Sequence, residues 1–497
     1  MKKALIILMF ALIVVSCRAD KDYLSIAVSS EPSTLDMHVN TSLIARTILV
    51  GNVYEKLFVL DQDGDVRCEL AEDYALSGDG RSLSISIRDD VKFHNGEVMD
   101  VEDVIYSMNR YLDYYGTSEL FVGQSRFKAI DEKTIEITAD NSLALFPYLI
   151  ASSPQSAVIV PAETLLDDIL SEGIGTGPYC LSSWKSGEYI ELKKFDGYIS
   201  CNDNSDGVWG KKSASIPTLR YLFVPDAVTR RLGLESGLYD FINDVMSQDA
   251  KAFETNKDIE LLSAGESGMI ALVFNKKEGL STNLDFRKAA SMLFDSENIM
   301  RACYGDRGYS THPNYMEIEQ SEWISGKDNP YFNVNEIKAR ALLDGCYNGE
   351  KVRILTSNLS NLDKLALAVA SDLKKGGVDA EVIAVDWATM LEMRKDSSSW
   401  DIFISAFSQV PLPILKSFLN PTFPGWIGEE ETELLSSVNS ALTLDEAVEA
   451  WKSVEPKLWE ALPVYVPGHY STEYASSSKL DGVIVQNGFY FWNVKFI

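Results

Sequence analysis

Histidine is scarce in this chain: 497 residues hold four, at positions 38, 94, 312 and 469. Scattered in this way, they give neither a catalytic triad nor the spacing of a metal site. Cysteine is nearly as rare, six residues without a CxxC pair, so zinc and dithiol redox motifs are absent. There is no HExxH and no P-loop, and Gly265-Glu266-Ser267-Gly268-Met269 lacks the second glycine of a GxSxG nucleophile elbow. Positive charge is also in deficit. Against 73 Asp and Glu stand 45 Lys and Arg, a net charge of −28. Such a field makes nucleic acid and anionic membrane surfaces poor partners and favours cationic or zwitterionic solutes. It equally serves to keep an exported chain soluble. What the chain has in quantity is core material: 46% hydrophobic and 10% aromatic residues, enough for two or three lobes.

The N-terminus reads MKKALIILMFALIVVSCRAD, two lysines followed by an apolar run from Ala4 to Val15. Twelve residues fall short of the ~20 that span a bilayer, so an export signal is expected over residues 1–16 rather than a permanent anchor. Val14-Val15-Ser16-Cys17 resembles the lipobox of bacterial lipoproteins, although Leu commonly stands where Val14 does; it implies lipidation at Cys17 and a tether over 17–22. Removing residues 1–16 takes two lysines away and leaves 481 residues carrying −30. In an oxidising compartment one disulfide is expected among Cys68, Cys180, Cys201, Cys303 and Cys346. Cys180 and Cys201 flank a candidate hairpin, and spacing alone leaves the pairing open.

The stretch Leu70 to Tyr111 is the most legible. Ser77-Gly78-Asp79-Gly80 is a turn, and Leu83, Ile85 and Ile87 alternate with polar residues as in a strand with one buried face. Asn95-Gly96 makes a second turn. Asp100 stands at a helix N-cap, with Val101, Val104, Ile105 and Met108 on one face. The same stretch, through Leu70-Ala71-Glu72, Asp79-Gly80, Arg88, Phe93-His94, Gly96 and Glu102-Asp103-Val104, resembles the extracytoplasmic solute-binding proteins that serve ABC importers for peptides and nickel. Further matches are Leu35-Asp36-Met37-His38, Val53-Tyr54-Glu55, Gly175-Thr176-Gly177-Pro178-Tyr179, Pro225-Asp226 and Ser236-Gly237. Each of these residues also reads as ordinary scaffold, His94 as a turn residue rather than a metal ligand.

The resemblance implies an α/β, type II periplasmic-binding-protein fold, two lobes joined by a hinge, with an extra subdomain in the N-terminal lobe. The expected division is 23–50, 176–267 and 468–497 for the lobe I core, 51–175 for the subdomain, and 268–467 for lobe II. The strands and helices expected in lobe II are Ala271–Asn275, Asp285–Cys303 (helix), Val334–Leu343 (helix), Val352–Thr356, Leu362–Lys375 (helix), Val378–Val385, Ala388–Lys395 (helix) and Asp401–Ala406. Crossings near Gly265 and Gly468 make the hinge.

By the same resemblance one wall of the ligand site is Asn40-Thr41-Ser42, which also fits the cap of a helix starting near Leu43. In peptide binders the other wall follows a strand like Asp401–Ala406 and carries an aspartate for the peptide ammonium. Here it reads Phe407-Ser408-Gln409-Val410-Pro411, without the aspartate. Phe407 offers an aromatic floor and Ser408 and Gln409 polar contacts. The expected function is therefore a lipid-anchored, extracytoplasmic receptor, monomeric, in the periplasm or at the cell surface. It delivers a small polar solute, an oligopeptide or related compound, to an ABC permease without cofactor or metal of its own. A nickel-chelate cargo is the alternative within the family, a sensing lipoprotein a further one, and a secreted hydrolase the rival class.

Overall fold

The computed structural model describes residues 22–152, 156–165, 172–202, 204–312, 322–420, 423–424 and 428–497. The expected export signal and Cys17 lie outside them. Among the described residues no helix is long and apolar enough to cross a membrane.

An 11-stranded mixed sheet runs through both lobes. From one edge its order is Ala380–Val385, Val352–Ser357, Ile402–Ser408, Ile259–Phe274, Val464–Ser477, Phe241–Ile242, Tyr23–Val28, Thr218–Phe223, Tyr189–Lys194 and Tyr179–Lys185, with Tyr309–Ser310 beside Val464–Ser477. The first three strands are mutually parallel, and Tyr23–Val28 runs parallel to both of its neighbours. The long strands Ile259–Phe274 and Val464–Ser477, paired antiparallel, join these two parallel sets. The Ala271–Asn275 strand expected from sequence is thus the end of a 16-residue strand.

The pairing of these two crossing strands is regular at each end and irregular between. Ser263 faces Glu473, Glu266 faces Ser471 and Gly268 faces Tyr470, which leaves two offsets within six residues. Gly265 takes φ +64°, a conformation that side chains other than glycine resist. Ser267 Oγ accepts the Thr472 amide at 3.0 Å, supplying a bond that the disturbed ladder does not.

The subdomain carries its own four-stranded sheet, Ala71–Leu76, Ser82–Ile87, Thr134–Thr138 and Lys128–Ala129. Leu83, Ile85 and Ile87 are buried as their alternation requires. The helix Val101–Tyr114 starts at a capping box in which Asp100 accepts the amides of Glu102 and Asp103, and Asp103 accepts that of Asp100. Its Val104, Met108 and Tyr111 are fully buried against the subdomain core.

In lobe II the periodic pattern is borne out with one exception. The helix expected over Asp285–Cys303 is two, Leu284–Ser291 and Ser296–Tyr304, because Asp295 leaves the helical path and caps the second by accepting the Asn298 amide at 3.1 Å. Apolar periodicity continued across that break, so the pattern alone concealed it. Leu365, Ala366, Val369 and Leu373 of the Leu362–Lys375 helix are buried on one face of the sheet. The chain ends by returning to lobe I, where Phe489, Phe491 and Trp492 are buried in the same core as Leu24 and Ile26.

Candidate functional site

The motif residues that carry the family likeness build scaffold. Asp36 receives both terminal nitrogens of Arg110, at 3.0 and 2.7 Å, and Arg110 also donates to Nδ1 of His38. Nε2 of His38 therefore carries the proton and donates to the Val158 carbonyl at 2.9 Å. Burial pushes the His38 pKa down to about 4, and Arg110 adds to the effect. Glu55 and Glu69 both accept from the buried Lys212 amine, at 2.8 and 2.5 Å. Burial works against the Lys212 charge, but the two carboxylates outweigh it and hold the amine well above its ordinary range. Glycine is required at 175 and 177 because an added Cβ would stand 2.1 Å from the Val53 carbonyl oxygen and 2.2 Å from that of Asn52.

Ligands of open α/β sheets are held at the C-terminal ends of the parallel strands. On the lobe I side Ser29 ends one strand and Asn243-Asp244 ends the next. The Ser29 amide donates to Asn243 Oδ1 at 2.9 Å, and the Ser29 hydroxyl and Asn243 Nδ2 both donate to Asp244. Asp244 is exposed and held at φ +50°. Beside the irregular stretch of the crossing strands lies a cavity of about 940 Å³, walled by Asp61 and Gln486 from lobe I, by Ala264 and Glu266, and by Trp323 and Gln409 from lobe II. Farther out the walls touch: Ser142 Oγ donates to the Ala441 carbonyl at 2.6 Å, and Asn439 Nδ2 to that of Leu120 at 2.5 Å.

Of the residues expected to line the site, Gln409 is in this cavity wall, its amide bonded to the Ser267 carbonyl at 2.8 Å. The exposed Ser408 pairs with Gly268, its hydroxyl within hydrogen-bonding reach of Tyr470. Phe407 turns inward, edge-to-face on Phe418 with centroids 4.9 Å apart. Asn40 is buried, donating to the Thr34 carbonyl and accepting the Ser42 amide. Ser42 is the N-cap of the helix Leu43–Leu49, and Thr41 is exposed. No disulfide forms among the described residues: Cys68, Cys180, Cys201, Cys303 and Cys346 are all free, contrary to the expected bridge.

Sequence reasoning passed over Arg46, one turn into the helix that Ser42 caps. Its guanidinium is in the electrostatic neighbourhood of Tyr490, Tyr470 and Tyr474, and burial lowers its pKa. Lys56 is its neighbour in the same field, pushed down to about 8 first by burial, with Glu69 opposing and Arg46 reinforcing. Neither stands within a catalytic or ligand motif, and Arg46 and Tyr470 are more than four hundred residues apart in the chain. Only the fold brings them together. The cavity is of mixed polarity and partly open to solvent, a concave surface of the size at which small solutes are bound.

The family model described as bacterial extracellular solute-binding proteins, family 5 Middle, matches residues 65–427. Among curated proteins the chain is similar to the glutathione-binding protein GsiB of Escherichia coli O1:K1 / APEC, 26% identical over 380 residues, which cover 75% of this chain and 71% of the relative. Among solved structures it is similar to the periplasmic binding protein AgaA of A. tumefaciens R10 in complex with agropinic acid (TM-score 0.82, 23% identity, 96% of this chain and 99% of that one). It also resembles a dipeptide-binding protein of Pseudoalteromonas sp. SM9913 in complex with Met-Leu (0.82, 20%, 96% and 100%). NikA of Staphylococcus aureus in complex with Ni(L-His)2 shares the fold as well (0.78, 17%, 96% and 100%).

Proposed function

Because the chain belongs to the bacterial extracellular solute-binding proteins of family 5, we propose that it closes its two lobes on a small, polar, peptide-like solute and delivers it to an ABC permease. Members of this family are extracytoplasmic binding proteins of ABC importers and not enzymes, which sets the hydrolase reading aside. The observation that carries the proposal is the cavity of about 940 Å³ whose wall is drawn from both lobes, Asp61 and Gln486 on one side, Trp323 and Gln409 on the other. Only the closed arrangement offers a solute both sets of contacts. The glutathione-binding relatives favour a peptide-like cargo over a metal chelate. In this reading Asn40, Thr41 and Ser42 belong to the lobe I wall, and Ser408 and Gln409 to that of lobe II. Phe407 supports it from behind. The lobes divide at the irregular pairing from Ser263 to Gly268, close to the crossings expected at Gly265 and Gly468. Acylation at Cys17 tethers the protein, as a monomer, to the membrane that holds its permease.

The test is the melting temperature of the purified protein with glutathione, Met-Leu or Ni(II)-histidine. A solute at a hundred times its Kd adds about 2.7 kcal/mol, an easily read shift. A chelate that shifts the melting temperature where both peptides fail reverses the choice of cargo, and failure of all three together with the absence of any small molecule in native mass spectra rejects solute binding.

A further inference from the structure

The cavity of about 940 Å³ is charged with one sign. Its wall carries five carboxylates, those of Asp61, Asp63, Asp65, Glu266 and Glu322, and no lysine, arginine or histidine among the described residues. The chain as a whole has 73 acidic and 45 basic residues, so the wall is more one-sided than the protein around it. The five are not equivalent. Asp61 is buried and holds its own turn together, receiving Nε of Arg67 at 2.6 Å and the amides of Asp63 and Asp65 at 3.1 and 2.9 Å. The same guanidinium comes within 3.6 Å of Asp65, so one cation serves two of the five charges.

Of the other three, Asp63 and Glu322 are exposed and Glu266 is half-buried, its side chain 16% accessible. Glu266 owes its place to the irregular pairing of the crossing strands. It follows Gly265 at φ +64°, with a ladder offset on either side, and an irregularity of this kind re-aims a side chain. Its carboxylate accepts the Ser310 hydroxyl and lies 3.9 Å from Nε2 of His312. The loop after Ile402–Ser408 brings no acidic residue to the cavity, but the strand paired with it does: Ser267, next to Glu266, accepts the Gln409 amide. Glu322 adjoins the buried Trp323, and Leu60, Leu412, Leu444 and Ile484 supply apolar wall in the same cavity. The carboxylates are spread rather than gathered. Among the described residues no three His, Cys, Asp or Glu side chains converge as metal ligands do.

We propose that this cavity selects an organic cation, the ammonium or guanidinium of a solute that also carries an apolar part, with Glu266 and Glu322 receiving the charge. The inference rests on the solute-binding reading above. A metal ion needs its oxygen ligands drawn to one point, whereas an ammonium points three donors in different directions and is served by carboxylates that stand apart. Charge-assisted hydrogen bonds of this kind are about twice as strong as neutral ones, and the like-charged wall turns anionic solutes away. The apolar part of the solute has Leu412 and Ile484 to lie against.

The experiment titrates three dipeptides that differ in side-chain charge, Lys-Leu, Met-Leu and Glu-Leu, into the wild type, Glu266→Gln, Glu322→Gln and the double variant by calorimetry. Lys-Leu is expected to bind the wild type roughly 10-fold more tightly than Met-Leu, and Glu-Leu more weakly than either. Each single variant should lose several-fold in affinity for Lys-Leu, and the double variant should bind Lys-Leu no better than Met-Leu, whose own affinity stays as it was. Added sodium chloride should weaken Lys-Leu more than Met-Leu in the wild type and equally in the double variant. Glutamine keeps the shape of glutamate, and Glu322 is exposed, so Glu322→Gln remains a folded test even where Glu266→Gln lowers the unliganded melting temperature. Equal wild-type affinity for Lys-Leu and Met-Leu, a preference for Glu-Leu, or a preference for Lys-Leu that survives in the double variant overturns the cation seat and leaves solute binding standing. If none of the three binds, the cation seat falls, and solute binding stands or falls by the melting and mass measurements above.

Discussion

His94 and Gly175 are bonded to each other twice: the Gly175 amide donates to His94 Nδ1 at 3.2 Å, and the His94 amide donates to the Gly175 carbonyl at 2.9 Å. Nε2 consequently holds the proton and donates to the Gly177 carbonyl at 3.0 Å. Two sequence motifs eighty residues apart are one structural joint, wedged against Asn52 and Val53.

Gly175→Ala forces a Cβ to 2.1 Å from a backbone oxygen, and backbone cannot step aside as a side chain can. The expected cost is about 3 kcal/mol or more, read as a lower urea midpoint. An unchanged midpoint would refute the close approach.

His38 gives the protein an acid-sensitive point. It is neutral in the fold, with a pKa of about 4 against 6.5 for the free side chain, so below pH 6.5 the unfolded chain takes up a proton that the native one refuses. Stability from this group is complete above pH 6.5 and drains away down to about pH 4, by roughly 3 kcal/mol. The difference in urea stability between wild type and His38→Gln should accordingly shrink as pH falls from 7 to 4.5. A constant difference would mean that His38 titrates normally.

Lys212→Met leaves Glu55 and Glu69 facing each other in the interior without their cation. A loss of about 3–5 kcal/mol is expected. Adding Glu55→Gln and Glu69→Gln should restore much of it, since the uncompensated charge is then gone. If the triple variant is no more stable than the single one, packing rather than charge explains the loss.

The cysteines should all react. Alkylating the denatured, unreduced protein is expected to add five groups to the described thiols, at Cys68, Cys180, Cys201, Cys303 and Cys346. Two missing adducts that appear only after reduction would restore a disulfide.

Much of this was legible in the chain because it is local. The strand at Leu83–Ile87 shows its period, Asp100 and Asp103 announce their helix three residues apart, and Leu362–Lys375 matches its apolar stripe to the residue. The split at Asp295 was hidden because an aspartate inside an amphipathic run reads as a surface residue until its amide partner is seen. The candidate site was legible only in part. Gln409, expected from the resemblance, is in the cavity wall, and Ser408 beside it pairs with Gly268. Arg46 follows from nothing nearby, since its electrostatic neighbours Tyr470 and Tyr490 are residues far along the chain.

The two strands that extend through both halves carry a topological consequence. Neither half can be excised as a contiguous piece of polypeptide, because each owns only part of Ile259–Phe274 and part of Val464–Ser477. A single protease nick in a surface loop would leave the fragments zipped together by shared ladder bonds, so a clipped molecule should still run as one particle under native conditions. The opposite ends of a sheet built this way are also bound to a common fate on heating: one half cannot melt without fraying strands that the other half needs.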